Sequence, residues 1–176
     1  KLLSYGKTTP DNLSKRRDCI AIFNNEEGTR MEVFRKLKNI MNVDGYGRPF
    51  NNWFPTYADY KSKLNKMSNY KFNFCPENSL YPGYYTEKCF HAKLADTIPI
   101  YFADKYVTED FRKEAFINIY DYLSLDDLQY HLKEILNNYD YLANIINQPL
   151  LHEMPDLEKI KEFLNKAVTN LISINK

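Results

Sequence analysis

The chain has 176 residues, 44% of them hydrophobic and 27% charged, with 24 basic against 23 acidic side chains for a net charge of +1. That length builds one well-buried core and is short for two, and a balanced charge without a basic stripe argues against nucleic acid as a partner. No apolar run long enough to span a bilayer and no leader-like pattern stands out. The three cysteines, Cys19, Cys75 and Cys89, have spacings unlike a metal motif and read as reduced core residues, so the expected compartment is the cytoplasm. Most of the fifteen tyrosines are expected to fill half-buried faces, although such a number would also suit sugar stacking.

In chain order, residues 1–17 are polar, contain Gly6, Pro10 and the triplet Lys15-Arg16-Arg17, and read as an arm or linker. The triplet is expected to be a solvated stretch or part of a cleft rim. Residues 18–24 (DCIAIFN) form a buried strand that ends in a polar loop through Gly28. Thr29 and Glu32 have the spacing of a capping box, and Met31, Phe34, Leu37, Ile40 and Met41 give the next helix its apolar face. Arg30 falls in the first turn of that helix, where a cation opposes the helix dipole unless an anion binds close by. On this ground alone Arg30 stands evenly between a surface residue and a ligand contact. Residues 42–55 read as loop, with Trp53 as a packing anchor, and residues 56–67 as a helix with Tyr57, Tyr60 and Leu64 on one side.

Residues 70–100 read YKFNFCPENSLYPGYYTEKCFHAKLADTIPI and are the most informative stretch. Tyr70, Phe72 and Phe74 alternate with Lys71, Asn73 and Cys75, as in a strand with one apolar face. Two prolines, Gly83 and the polar trio Glu77, Asn78 and Ser79 make residues 76–83 a loop. A helix is expected from about Tyr84 to Asp96, with Glu87 and Lys88 in its first turn, followed by a strand over 97–102. Strand, polar loop, helix N-terminus and strand make the unit at which open α/β sheets hold anionic ligands. Lys88 offers a cation, Glu87 an acceptor for sugar hydroxyls, Asn78 an amide, and Tyr84 and Tyr85 phenols.

Beyond it, residues 105–113 read as a turn or short helix and 115–119 as a strand. Ser124 with Asp127 caps a helix faced by Leu125, Leu128, Leu132, Ile135 and Leu136; Asp126 and Asp127 read as dipole partners rather than as a catalytic pair. Residues 139–147 continue helically up to Pro149. Leu157, Ile160, Phe163, Leu164, Ala167, Val168, Leu171 and Ile172 then recur at helical spacing. This last helix is expected to pack on the domain or on one outside the chain. The alternative is peripheral contact with an inner membrane through Lys159, Lys161 and Lys166. His91, His131 and His152 form no metal set.

The segment FNFCPENSLYPGYYTEKCFHAKLADTIPIYF resembles the donor-binding signature of the α-1,3/1,4-fucosyltransferases of bacterial type, glycosyltransferase family ten. Residues 21–24 with Arg30, the Val43-Asp44-Gly45-Tyr46-Gly47 turn, and Asp110-Phe111 followed by 115–118 and Asp121 extend the resemblance over about residues 18–150. Pro76 stands where an apolar residue commonly precedes the E-N pair, and Ala103-Asp104 where a glycine is usual. The resemblance implies an α/β fold with a Rossmann-like open parallel sheet flanked by helices, the C-terminal half of a GT-B transferase. In that plan residues 1–17 lead in from a missing N-terminal acceptor domain, 18–150 bind the nucleotide sugar, and 151–176 are the C-terminal amphipathic helix.

It also implies GDP-fucose as donor, no obligatory metal or other cofactor, and inverting transfer to a hydroxyl of an N-acetylglucosamine-type glycan of the Lewis-antigen or lipopolysaccharide kind. Arg30 and Lys88 would contact the diphosphate, Glu87 the ribose, and Asn78 and Tyr84 the same pocket. The family's general base belongs to the N-terminal domain and corresponds to no residue here. A non-catalytic nucleotide-sugar-binding module and a transferase using another GDP-sugar are the alternative readings.

Overall fold

In the computed structural model of the protein, residues 1–26, 28–52 and 59–174 are described, with side chains through residue 170. Five parallel strands, β1 (Arg17–Ile22), β2 (Val43–Tyr46), β3 (Tyr70–Phe74), β4 (Ile98–Tyr101) and β5 (Ile117–Asn118), form a sheet in the order β2-β1-β3-β4-β5. The expected open parallel α/β sheet is present. Its first crossover runs to one side of β1 and the later ones to the other, so the order reverses between β1 and β3.

Helices cover both faces. Cys19, Ala21, Phe72, Phe74, Ile98 and Ile100 build one core with α2 (Arg30–Lys38), α6 (Leu125–Ile135) and α7 (Tyr139–Asn147). Ile20, Cys75 and Tyr101 build the other with α3 (Tyr60–Met67), α4 (Glu87–Leu94) and α5 (Val107–Asp110). Alternate residues of a strand point to opposite faces, so two covered faces require apolar residues at nearly every position of the central strands. For that reason β3 is buried at all five residues rather than on one face. Lys71 on β3 is only 4% exposed; its ammonium lies 2.7 Å from Asp18 and 5.5 Å above the Tyr139 ring. Burial would raise the Asp18 pKa, but the bonds from Lys71 and Asn42 outweigh it and hold the carboxyl below its usual range.

Several segments differ from the sequence reading. The N-terminal stretch is packed rather than extended as an arm: the Asn147 side chain bonds both the N–H and the C=O of Thr8 at 2.8 Å, and Gly6 N–H reaches Asn147 O. A short helix α1 (Pro10–Ser14), capped by Thr9, then buries Leu13. The basic triplet is not at a cleft rim, because Arg17 opens β1 at the amino edge of the sheet and pairs with Asp44 at 2.7 Å. Residues 43–46, read as loop, are β2: the run VDGY has little strand propensity, and its pairing with β1 makes it a strand.

Thr29 makes no capping bond, since its backbone is already helical, so the expected box is not formed. Helix α3 starts after Asp59, whose carboxylate accepts from Ser62 N–H; the expected start at 56 and the anchor Trp53 lie outside the described residues. Ser124 caps α6 as expected, and Asp126 pairs with Lys36 of α2. The last helix, α8 (Leu157–Ile174), begins six residues after Leu151, which belongs to the core and bonds Leu2 O. Of the two expected partners for α8, the domain itself does not cover its described apolar side chains: Leu157, Ile160, Phe163, Leu164 and Val168 are all exposed.

Candidate functional site

The carboxyl ends of β1 and β3 open where the strand order reverses, and the loop at 76–86 lies over them. Arg30, in the first turn of α2, is 4% exposed and reaches this loop from one side of the sheet. Its guanidinium donates to Glu77 O at 3.1 and 3.3 Å, to Asn78 O at 2.5 Å and to Asn25 O at 2.9 Å. Lys88, in the first turn of α4, reaches it from the other side and donates to Pro76 O and to Asn78 Oδ1, both at 2.9 Å. Two of the expected cations and Asn78 are thus brought together on residues 76–78. A cation in the first turn of a helix is unfavourable for the dipole; here each is offset by carbonyl oxygens held within reach.

Tyr84 and Glu87 stand apart from that cluster. Both are exposed at the entry to α4, and among the described residues no hydrogen bond or ion pair joins them to Arg30, Asn78 or Lys88. Tyr85 points elsewhere: its hydroxyl donates to Asp104 Oδ1 at 2.8 Å, tying the loop to the segment after β4.

Glu77 organises the site and was read in the sequence only as part of a polar loop. It is 2% exposed. Its carboxylate accepts from Thr86 N–H at 2.7 Å, from the Thr86 hydroxyl and from the Tyr101 hydroxyl of β4, and lies 3.5 Å from the Lys88 ammonium. Burial, and then the bond to Glu77, push the Tyr101 phenol far above its usual range, so it remains a donor. The N–H of Thr86, at the head of α4, is therefore taken by an internal carboxylate. The available signal was a tyrosine hydroxyl in an otherwise apolar strand, IPIYF, which needs a buried acceptor.

Beside Lys88, a small crevice between α3 and α4 holds Lys63 and His91, with Nζ and Nδ1 3.1 Å apart. All three cysteines are buried and free; burial raises their thiols, Cys19 to about 12. Among the described residues no group of His, Cys, Asp and Glu could hold a metal ion, and no helix is long and apolar enough to cross a membrane. A larger cavity of about 480 Å³ lies among Tyr85, Phe90, Phe111, Glu109 and Met154, but none of Arg30, Asn78, Tyr84, Glu87 or Lys88 lines it.

The model of glycosyltransferase family 10 (fucosyltransferase), C-terminal part, matches residues 13–144. A protein of Acanthamoeba polyphaga mimivirus is 31% identical over 172 residues, which are 90% of this chain and 28% of that protein. The alpha-(1,3)-fucosyltransferase FucT of Helicobacter pylori is 36% identical over 91 residues, 51% of this chain and 19% of its own. A crystal structure of an α1,3-fucosyltransferase with GDP-fucose superposes with a TM-score of 0.77 at 27% identity, covering 90% of this chain and 48% of that one. The chain thus spans less than half the length of these relatives. With the sheet order, the paired cations and the matched segment in agreement, the chain belongs to glycosyltransferase family 10, the fucosyltransferases, and corresponds to their C-terminal part.

Proposed function

We propose that this chain is the donor-binding half of a fucosyltransferase that uses GDP-fucose. The observation that carries the reading is the convergence of Arg30 and Lys88 on residues 76–78, at the point where the strand order reverses. Its support is the family match, together with a solved relative crystallised with GDP-fucose and another with GDP.

In this reading the bond between the anomeric carbon and the diphosphate breaks as a glycan hydroxyl attacks, and the electron pair leaves with the diphosphate. Lys88 and Arg30 meet that developing charge, the kind of fixed donor that typically contributes about 2.7–4 kcal/mol each. The Lys88 ammonium holds two neutral oxygens and a carboxylate at the longer distance of 3.5 Å. A phosphate oxygen is a stronger acceptor than either neutral partner. Exposed Glu87 accepts from the ribose hydroxyls, and Asn78 and Tyr84 line the same opening. Side chains supply the positive charge, and the reading calls for no metal. The acceptor, an N-acetylglucosamine-type glycan, and the carboxylate that takes its proton belong to a part of the protein outside these residues.

Calorimetric titration of the chain with GDP, GDP-fucose, GDP-mannose and UDP-glucose tests the reading. Saturable binding of GDP and GDP-fucose, lost in Lys88→Ala, is expected. Preference for UDP-glucose, or binding untouched by Lys88→Ala, would overturn it.

A further inference from the structure

Lys63 and Met67 of α3, Asn73 and Cys75 at the end of β3, and Lys88 and His91 of α4 line a crevice that adjoins the candidate donor site. It holds about 20 Å³, room for one oxygen-sized group and too little for a base or a sugar ring. Asn73 is 3% exposed, yet its side-chain amide makes no hydrogen bond among the described residues. Its amide lines the crevice, where a ligand oxygen can reach it.

The charged side chains that line the crevice are basic. Lys63 Nζ donates to His91 Nδ1 at 3.1 Å, which requires a neutral imidazole. Facing His91 are the Tyr60 ring at 4.9 Å and Lys63 from α3, Glu87 and Lys88 from its own helix, and Cys75 from the end of β3. Burial lowers the Lys63 and His91 pKa values, and Lys63 lowers that of His91 further; exposed Glu87 opposes both shifts, and Cys75 opposes that of Lys63. Among the described residues no carboxylate forms an ion pair with Lys63, while Lys88 has Glu77. Two basic groups and an unpaired amide around a space of one atom are stabilised when an anionic oxygen enters.

We propose that Lys63 and Asn73, with His91 positioning Lys63, form a second subsite for one oxygen of the donor's diphosphate, on the side of Lys88 away from Arg30. This rests on the donor-site reading above. Lys88 then stands between two anion-binding positions, one shared with Arg30 and one with Lys63. The subsite gives discrimination for a diphosphate over a nucleoside, since a ligand without phosphate leaves the crevice empty.

The test is binding of guanosine and GDP to the chain and to its Lys63→Met, Lys63→Arg and Lys88→Ala variants, with NMR titration of the histidines. Three histidines make the spectrum simple, and His131 and His152 serve as internal references. Lys63→Met is expected to weaken GDP about tenfold and leave guanosine unchanged; Lys63→Arg, which keeps the charge, retains most of the affinity and separates charge loss from a packing defect. Saturating GDP should raise the His91 midpoint by about one pH unit and leave the other two histidines in place. GDP binding that is lost in Lys88→Ala but unaltered in Lys63→Met, or an unmoved His91 midpoint, would overturn the subsite and leave the donor site standing. Failure of the unaltered chain to bind GDP would overturn both.

Discussion

Arg30 and Lys88 meet on Asn78. The first comes from the helix on one face of the sheet and donates to its backbone oxygen at 2.5 Å; the second comes from the helix on the other face and donates to its side-chain oxygen at 2.9 Å. One residue therefore couples the two cations, and their effects should not be additive. Arg30→Ala removes the donor to the Glu77 and Asn78 carbonyls, and is expected to cost about 3 kcal/mol of stability as well as GDP binding. Lys88→Ala, at a position 21% exposed, should cost less stability and as much binding. Denaturant unfolding of both single variants and the double variant measures the coupling.

Glu77 serves three elements at once. Glu77→Ala leaves the Thr86 amide and the Tyr101 hydroxyl without their acceptor and the Lys88 ammonium without its carboxylate, and is expected to destabilise by about 3 kcal/mol. For a chain of this size that is a fall of about 6–12 °C in Tm. Glu77→Gln, which keeps one acceptor oxygen, should lose less, and thermal unfolding of the pair separates the two effects.

Gly47 cannot carry a side chain. Its φ is +117°, and a Cβ there would lie 2.0 Å from the carbonyl oxygen of Phe23, at the carboxyl end of β1 beside the site. Gly47→Ala must displace backbone and should destabilise by about 2 kcal/mol or more. Circular-dichroism melting measures it.

These relationships show which parts of the molecule could be read from the chain alone. The strand at 70–74, its loop, the helix carrying Glu87 and Lys88 in its first turn, and the Ser124 cap are local patterns that the structure contains, although that helix starts at Glu87 rather than near Tyr84. The strand at 43–46 is not local: its Asp and Gly disfavour extension, and the partner that enforces it is β1. Likewise Thr8 finds its partner in Asn147, 139 residues away. The cations Arg30 and Lys88 were legible through the signature, whereas the Glu77 hub depends on Thr86 and Tyr101, which only folding brings to it.

Lys93 gives the protein a defined response to alkaline pH. It is 1% exposed, with its ammonium on Ala115 O and Ile145 O, and burial lowers its pKa from 10.5 to about 8. Because the folded value is the lower one, the unfolded chain binds more protons between about pH 8 and 10.5. Stability attributable to Lys93 therefore rises with pH through that window, by at most about 1.4 kcal/mol per pH unit, and is flat below it. Lys93→Met should abolish the rise, which urea unfolding at a series of pH values would show.

Helix α8 makes a separate prediction. Its apolar side chains from Leu157 to Val168 are exposed, so removing residues 157–176 should leave the Tm of the domain unchanged. A fall of several degrees would mean that the helix is held against the domain in solution.

The central claim is that the nucleotide diphosphate sits between Arg30 and Lys88, over the carboxyl ends of β1 and β3. Hydrogen exchange of the chain with and without GDP tests it most directly. The account predicts slower exchange confined to residues 76–88 and to the start of α2 at Arg30. Protection instead at 109–111 and 151–156, around the larger cavity, or at no segment under saturating GDP, would contradict it.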